Sequence, residues 1–452
     1  MPEQASGIES EGAGKVKTYR LMKALAVLAV LSACASGDPV LEGERLNVRA
    51  SATGEVPVAA GQNPVPIALP AARAAADWTH RAGNAAHRPP HAALSPAPVQ
   101  IWAAPIGAGD GRKNRITADP VVAGGRIFTL DANATVTATG SNGATLWQTD
   151  LTPASERTGD ASGGGLAYGD GRVFATTGFG ELVALDPVTG AVAWRQRFDA
   201  AVGGAPAVMD GRVYVVARDS AAWAVRASDG RVEFVLPGTP SPSSVAGAAA
   251  PALDARQVIF PFASGQLISV DRTNGTGLWV SHVAGQRGGR AYAAHSDLTG
   301  DPVIADGIVY AGTSAGRLAA VNADTGQTLW SVRDGATSPV VAAGGALFFV
   351  NDEDQLMRLN ASDGSTVWRI DMPYFTKERD KRRRAIYAHY GPVLAGGRLV
   401  LASSDGLIRS FDPASGALVQ TIDMGDGAAA APAVVGGTLY VVTKSGRLRA
   451  FR

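Results

Sequence analysis

Short apolar segments recur along the chain from residue 119 to the carboxyl end. In each copy a turn is followed by two or more consecutive aliphatic or aromatic residues. The eight copies begin at Gly125, Gly171, Gly211, Arg256, Gly307, Gly345, Gly397 and Gly437. Further turns and strands follow in each copy, and the copies repeat every ~38 to 52 residues. Four short strands per repeat at that period predict the blades of a β-propeller.

A second, polar turn precedes the last strand of the repeat. It has the form Asp-x-x-Thr-Gly and is clearest at 186–190 and 412–416, where glycine can adopt a positive φ and aspartate can bond its own backbone. Four residues after the glycine stands a large side chain in six repeats, and Gln420 in a seventh; the six are Trp147, Trp194, Phe234, Trp279, Trp330 and Trp368. We expect these rings to pack against the neighbouring blade. An aromatic ligand cage is the alternative.

The two ends of the chain complement each other. After Gly437 the sequence supplies three strands and ends at Arg452 without another polar turn or tryptophan. Residues 100–104 near the amino end have the pattern of an unattached outer strand that carries its own Trp102. An N-terminal strand that completes the C-terminal blade would leave no open sheet edge. We therefore predict an all-β fold, an eight-bladed β-propeller of four-stranded antiparallel blades that is closed by this strand.

The amino-terminal residues have the pattern of an export signal. Basic residues precede an apolar run at 24–30, which is followed by Leu-Ser-Ala-Cys ending at Cys34. About ten apolar residues are too few to span a bilayer. The Leu-Ser-Ala-Cys sequence resembles the bacterial lipobox, whose cysteine becomes acylated, so we predict that 1–34 is a lipoprotein signal peptide with acylated Cys34. Met22 is an alternative start, and Ala35 favours delivery to the outer membrane.

The domain boundary is expected soon after this signal. Residues 35–77 are rich in alanine and proline and show no sustained period of 2 or 3.6, which predicts a disordered tether of polyproline character. The first segment with the chemistry of strands and turns begins at Asp77. We therefore assign 78–452 to the propeller.

Composition and charge narrow the range of functions. The 41 basic and 40 acidic residues nearly cancel, so nucleic acid is not an expected partner. A single cysteine excludes an internal disulfide framework and a cysteine-rich zinc site. The sequence contains no motif for a catalytic serine, a phosphate-binding loop or a haem site, so we predict no catalytic, cofactor-binding or metal-binding residues.

The six histidines do not form a recognisable metal-ligand pattern. Three of them, His80, His87 and His91, cluster near the amino end of the propeller. We expect these three to be adventitious surface histidines and not metal ligands.

Taken together, the lipobox, the Ala/Pro-rich tether and the tryptophan-marked blades with Gly-x-Leu and Asp-x-x-Thr-Gly turns resemble the BamB family, the lipoprotein subunits of the outer-membrane β-barrel assembly machinery. The resemblance covers about residues 78–452. It implies a non-enzymatic scaffold, lipid-anchored at the periplasmic face of the outer membrane, that binds the POTRA domains of the barrel-forming subunit and assists unfolded outer-membrane clients.

Two stretches resemble the loops that bind POTRA domains in that family. Residues 244–251 match a family segment reading Ser-Leu-Arg-Gly-x-x-Ala-Pro, with Val245 at the Leu position and Ala246 where an arginine is expected. Residues 296–299 match Ser-Asp-x-Asp and keep Asp297. The resemblance therefore implies partner contacts at Val245 and Asp297, although Asp297 as a turn-capping carboxylate is the alternative.

A basic segment at 377–384 is the other candidate for partner binding. It ends in Arg382, Arg383 and Arg384, and aromatic residues flank it. Such a segment can contact an acidic partner or lipid head groups, or it can be a long solvated loop.

Two alternative functions stay open at the level of sequence. The blade repeat is similar to that of quinone-dependent dehydrogenases, but the adjacent cysteine pair that this resemblance would imply is impossible with Cys34 alone. An envelope lipoprotein that binds peptidoglycan or another periplasmic partner would share every strong feature of the scaffold.

Overall fold

The computed structural model describes residues 64–241, 249–283, 285, 287, 297–377 and 379–452. The predicted signal peptide, Cys34 and Val245 lie outside the described residues. Within the described part of the chain, no helix is both long and apolar enough to cross a membrane.

The described strands form eight antiparallel sheets of four strands each, numbered here as blades in chain order. Blade 1 consists of β2 (Val121–Ala123), β3 (Arg126–Leu130), β4 (Thr135–Gly140) and β5 (Thr145–Asp150), and blade 2 of β6 (Leu166–Gly169), β7 (Arg172–Thr176), β8 (Glu181–Leu185) and β9 (Val192–Arg197). Blade 3 consists of β10 (Ala207–Met209), β11 (Arg212–Val216), β12 (Ala221–Arg226) and β13 (Val232–Pro237), and blade 4 of β14 (Ala252–Leu253), β15 (Gln257–Pro261), β16 (Gln266–Asp271) and β17 (Gly277–His282).

Blades 5 to 8 continue the same order. Blade 5 consists of β18 (Leu298–Ala305), β19 (Ile308–Thr313), β20 (Arg317–Asn322) and β21 (Thr328–Val332), and blade 6 of β22 (Val341–Ala343), β23 (Ala346–Val350), β24 (Gln355–Asn360) and β25 (Thr366–Asp371). Blade 7 consists of β26 (His389–Ala395), β27 (Arg398–Ser403), β28 (Leu407–Phe411) and β29 (Leu418–Asp423). Blade 8 consists of β30 (Ala433–Val435), β31 (Thr438–Thr443) and β32 (Arg447–Phe451), with β1 (Gln100–Pro105) as its fourth strand. The predicted fold class and blade count are confirmed.

Burial follows position within a blade. The second and third strands are buried on both faces, as in β7 and β8, whereas the outer strand β9 alternates between exposed and half-buried residues. The core therefore lies between neighbouring blades, where one sheet packs on the next.

Blade 8 closes the ring as the sequence predicts. Strand β1 pairs with β32 in antiparallel register, with Trp102 opposite Ala450. Val99 and Arg452 extend the pairing, because each backbone amide donates to the other residue's carbonyl at 2.8 and 2.9 Å. The strand that begins the propeller thus satisfies the edge of the strand that ends it.

Tryptophans link six of the eight blades to the next one, and Phe234 packs in the same way from blade 3 over Gly275 in blade 4. The ring of Trp147 in blade 1 lies over Gly190 in the polar turn of blade 2, so closely that a Cβ at Gly190 would stand 2.5 Å from the ring. The Trp147 indole donates to the carbonyl of Pro187 in the same turn at 3.1 Å. The same donation to a turn carbonyl of the following blade is made by Trp102, Trp194, Trp279, Trp330 and Trp368. The prediction of packing between blades is confirmed.

Gln420 departs from this pattern for a topological reason. It lies in the outer strand of blade 7, and blade 8 has no polar turn because its third and fourth strands are the two ends of the propeller. Gln420 instead accepts a hydrogen bond from Arg398 at 2.9 Å, and Arg398 also donates to the carbonyls of Ser95 and Pro96. An amide acceptor therefore replaces an indole where the N-terminal segment crosses from blade 7 to blade 8.

Residues 64–97 form an N-terminal belt across one face of the propeller. Residues 64–77, assigned from the sequence to the tether, already lie against the blades: the amide of Val65 donates to Ala414 in blade 7, and Arg358 in blade 6 donates to the carbonyls of Val65 and Pro66. The packed chain therefore begins at least as early as residue 64, ahead of the boundary expected at residue 78.

The belt reaches the inner strand, or the turn after it, in every blade. Hydrogen bonds join Trp78 to Val122, Thr79 to Tyr168, His80 to Val208, Ala85 to Leu253, Ala86 to Ile304, Ala92 to Leu394 and Ala75 to Gly436. In blade 6 the contact is one of packing, because Ile67 and Ala68 lie against Gly344. The belt thus circles the propeller axis and closes this end of the central channel.

Candidate binding surface

The two faces of the propeller differ in their connections. The face covered by the belt carries the turn between the first and second strands of each blade. We call the opposite one the loop face; it carries the connections from the outer strand of one blade to the inner strand of the next, and the turns between second and third strands. The described parts of the sequence-predicted partner segments lie in or next to connections of the loop face: 249–251, 297–299, 377 and 379–384.

Asp297 lies immediately before β18 and is 3% exposed. It lines a cavity of about 30 Å³ together with Val216, Phe262 and Leu298. This position is buried between the loops of blades 3 to 5, so a partner would reach the Asp297 carboxylate only through a shift of its surroundings. Its predicted contact with a partner stays a prediction, as does that of Val245.

Residues 374–387 form a basic hairpin between blades 6 and 7. Its strands are joined at the base, where the Thr376 amide donates to Ala385 at 3.0 Å and the Tyr387 amide donates to Tyr374 at 2.8 Å. Its tip includes a short 3-10 turn at Asp380–Arg382. The described residues of the segment that the sequence marks as a long loop therefore form a hairpin on the loop face.

Aromatic side chains brace the basic hairpin. Tyr374 and Phe375 meet edge to face, with ring centroids 4.7 Å apart, and the guanidinium of Arg383 lies 5.0 Å from the centre of the Phe375 ring. Arg382 and Arg384 are exposed, and next to them Ile386 is 53% exposed. The hairpin therefore presents cations and an apolar side chain together.

A funnel of about 430 Å³ opens at the centre of the loop face. Ile116, Pro339, Tyr387 and Ala430 contribute to its mostly apolar wall. At its closed end lies Arg81, which the belt places on the propeller axis. The funnel is blind because the belt closes the channel behind it.

An ion cluster forms the floor of the funnel. The Nε of Arg81 lies 3.3 Å from Asp119, just before blade 1, and 3.2 Å from Asp301, within β18 of blade 5. The other oxygens of these carboxylates accept backbone amides, from Ala431 to Asp119 and from Ala250 to Asp301, both at 2.8 Å. One guanidinium therefore connects four blades across the axis.

Burial sets the protonation behaviour of this cluster. Burial raises the pKa of Asp119, although Arg81 acts in the opposite direction. Burial alone would lower the pKa of Arg81, but Asp301 and Asp119 outweigh it and raise that pKa. The guanidinium stays charged at every accessible pH, so the carboxylates depend on it for their charge balance.

Asp354 lies in the turn between the second and third strands of blade 6 and lines the funnel. It is 9% exposed, and its Oδ2 has no hydrogen-bond partner among the described residues. Burial, and then the charge of Asp352, raise the pKa of Asp354 to about 7. The fold thus keeps an acid here at a cost in stability.

The substitution Asp354→Asn should stabilise the protein above pH 7. The folded-state pKa of about 7 exceeds an unfolded value of about 3.9, so the wild type loses stability as the pH rises from about 4 to 7. Solvent in the funnel reduces the full effect, and we expect a gain of roughly 2 kcal/mol at pH 8 and none at pH 4. Urea denaturation at both pH values measures it, and equal gains at the two would contradict the assignment.

The expectation for the three N-terminal histidines is wrong. His80, His87 and His91 are buried, because the belt that carries them lies on the inner strands. His80 accepts the amide of Val208 at 2.9 Å, and burial lowers its pKa to about 3; burial also lowers the pKa of His87, which lies 2.8 Å from the carbonyl of Pro302. His80 and His87 are therefore neutral at pH 7, and all three histidines bond the belt to the rest of the fold.

No group of three or more potential metal ligands occurs among the described residues.

The repeat, the eight four-stranded blades and the indoles docked on glycine turns define an eight-bladed β-propeller of the PQQ-like repeat class. The chain belongs to the outer membrane protein assembly factor BamB family, whose model matches residues 132–370 and 378–452. The family predicted from the sequence is thereby confirmed.

Similar proteins agree with this assignment. The chain is 26% identical to the outer membrane protein assembly factor BamB of Yersinia pestis over 365 residues, which cover 78% of this chain and 89% of the relative. It is 27% identical to that of Burkholderia pseudomallei over 361 residues, covering 78% and 87%.

Solved structures share the fold. BamB from Moraxella catarrhalis superposes with a TM-score of 0.65 at 18% identity, covering 79% of this chain and all of that one. The quinohemoprotein alcohol dehydrogenase from Comamonas testosteroni superposes with a TM-score of 0.63 at 14% identity, covering 83% and 80%. Both likenesses show the fold alone.

Proposed function

We propose that this protein is a non-enzymatic, lipid-anchored scaffold at the periplasmic face of the outer membrane. Its loop face docks the POTRA domains of the barrel-forming subunit of the β-barrel assembly machinery and so assists the folding and insertion of outer-membrane proteins. Membership of the BamB family supports the assembly role. Cys34 carries the lipid, and the residues between it and the belt form the tether.

The basic hairpin is the observation that carries the choice of the loop face. Its exposed cations attract an acidic surface over distances of about a Debye length, ~8 to 10 Å at physiological salt. The exposed side chain of Ile386 beside them adds apolar area to the contact. Cations of this kind accelerate and orient an encounter more than they tighten the final complex.

Membrane anchoring complements this weak electrostatic contact. A tether confines the propeller to a thin layer, which raises its effective concentration near a membrane-embedded partner. The belt supports this arrangement, because it fixes the point at which the tether leaves the propeller, near Val65 and Ala414 at the edge of blade 7. The loop face, on the other side, is left for the partner.

Reversing the hairpin charges should weaken partner binding. We expect Arg382→Glu, Arg383→Glu and Arg384→Glu together to reduce the affinity for the purified POTRA domains by about tenfold or more, and to abolish most of its dependence on salt. Surface plasmon resonance at low and physiological salt measures both effects.

The matched control reverses three exposed arginines on the belt side of the propeller, with the same change in net charge: Arg73 in the belt, Arg231 in the polar turn of blade 3 and Arg256 in the first turn of blade 4. It should bind like the wild type. Equal losses of affinity in both triple variants would show that only the net charge of the protein matters. An unchanged affinity in the hairpin variant would show that the hairpin does not contact the POTRA domains.

The alternative of a quinone-dependent dehydrogenase has weaker support. The likeness to the dehydrogenase structures is one of fold, at 14% and 15% identity. The cysteine pair that the resemblance to those enzymes would imply cannot form, because Cys34 is the single cysteine of the chain.

A further inference from the structure

The central funnel is a cavity separate from the one at the tip of the basic hairpin. Its volume of about 430 Å³ lies within the range of small-ligand pockets, about 300–1,000 Å³. It is closed below by the belt and open to the loop face. It shares only the side chain of Ile386 with the described partner contacts considered above.

The charge of the funnel favours a cation. Among the described residues that line it, the charged side chains are two carboxylates, Asp119 and Asp354, and one guanidinium, Arg81. Arg81 is already paired with Asp119 and Asp301. Burial lowers the pKa of His389, which also lines the funnel, so this ring adds no positive charge at neutral pH.

Asp354 has no counter-ion within the part of the chain that the structure describes. In the same turn, Asp352 and Glu353 are held by Arg287, at 2.7 and 3.4 Å. Asp354 Oδ2 has no such partner in the described ranges, although the residue is about nine-tenths buried. A buried carboxylate oxygen without a partner lowers the stability of the fold. A cationic group of another molecule could enter the funnel and donate a hydrogen bond to this oxygen.

The funnel wall indicates the shape of that cation. The hairpin residues that line the funnel, Ile386, Tyr387 and Ala388, carry no charge, and the cations of Lys381, Arg382 and Arg384 line a separate cavity at the tip. An apolar wall with one carboxylate fits a side chain that has an aliphatic stem and a charged end. Lysine and arginine have this form.

We propose that the funnel binds one lysine or arginine side chain of an extended segment of another protein, with Asp354 as its counter-ion. The blind end limits the depth of insertion to a side chain, while the backbone of the segment lies across the mouth. The Tyr387 ring at the mouth provides an aromatic face for the stem or the cation.

The test compares two blocked pentapeptides that differ only in a central lysine or norleucine. Isothermal titration calorimetry measures their binding to the mature chain in detergent. We expect the lysine peptide to bind about tenfold or more tightly than the norleucine peptide, since a charge-assisted hydrogen bond contributes about that much. Equal affinities, or no binding of the lysine peptide, would overturn the proposal.

Asp354→Asn should remove this preference. The residue has a positive φ of 56°, which asparagine tolerates well, so the turn should be retained. The matched control is Asp363→Asn, an exposed carboxylate elsewhere in blade 6, which should bind the lysine peptide like the wild type. Undiminished binding by the Asp354 variant would overturn the proposal.

A second variant tests the location independently of Asp354. Ser314 lines the funnel from blade 5, and Ser314→Lys would supply a tethered ammonium inside it. This variant should no longer bind the lysine peptide. Binding that is unchanged would place the peptide outside the funnel and refute the site.

Discussion

A chain that begins at residue 106 should fail to form a stable propeller. It lacks the belt and β1, so the edge of β32 is left with unpaired backbone groups and Leu448 and Phe451 lose part of their cover. A domain of this kind has ~5–15 kcal/mol of net stability, and we expect most of it to be lost. Gel filtration and urea denaturation followed by circular dichroism measure the outcome.

Two companions separate the roles of the belt and the strand. A chain that begins at residue 98 keeps β1 and should recover the closed ring with reduced stability. A synthetic peptide of residues 98–106 should stabilise the shorter chain, and the same peptide with Trp102→Ala should do so less, because it lacks the indole that covers Gly143. Equal urea midpoints for the chains that begin at 98 and 106 would show that β1 does not close the ring.

Arg81→Ala should destabilise the protein by about 3–5 kcal/mol at pH 8. The substitution leaves Asp119 and Asp301 at the floor of the funnel without their counter-charge, and this cost exceeds the loss of the pair's own attraction. The cost should fall at pH 5, because burial raises the pKa of Asp119 and a protonated carboxyl needs no counter-ion. Urea denaturation at the two pH values measures both effects.

The control for Arg81 removes all three charges at once. The variant Arg81→Met, Asp119→Asn, Asp301→Asn should recover most of the lost stability, since a neutral cluster of similar volume has no desolvation penalty. A loss below about 1 kcal/mol in Arg81→Ala would show that solvent in the funnel already screens these carboxylates.

The periodic part of the fold could be predicted from the sequence. Each blade repeats the same local chemistry, so the turn glycines and the tryptophans mark strands without knowledge of tertiary contacts. Ring closure was also predictable, because a surplus strand at Trp102 matched a missing strand after Gly437. Gln420 stands where the other blades have an aromatic ring. The polar turn that a ring at this position would cover does not exist in blade 8.

The belt could not be predicted in this way. Residues 64–97 make short contacts with one blade after another, so they never pair long enough with one strand to impose a period of 2. The available signal was the set of His80, Arg81 and His87 near Trp78, polar groups that a disordered tether does not need. Their partners, such as Val208 and Pro302, are backbone groups far along the chain and have no sequence signature.

The funnel escaped prediction for a related reason. Asp119, Asp354 and Tyr387 belong to three different connections and meet only around the axis. In the sequence each resembles an ordinary turn or loop residue. The predicted partner residues each lie in a recognisable sequence segment. The funnel has no such segment, because its residues come together only when the blades are arranged around the propeller axis.

The pairing of β1 with β32 also determines when the propeller can complete its folding. The side chains of Gln100 and Arg449 form a hydrogen bond across a sequence separation of 349 residues. Contacts between such distant segments slow folding, and the first strand has no partner until the last has been synthesised. During synthesis a nearly complete chain therefore has a sheet edge with unpaired backbone groups, which favours aggregation. We expect chaperones to protect this chain during that interval.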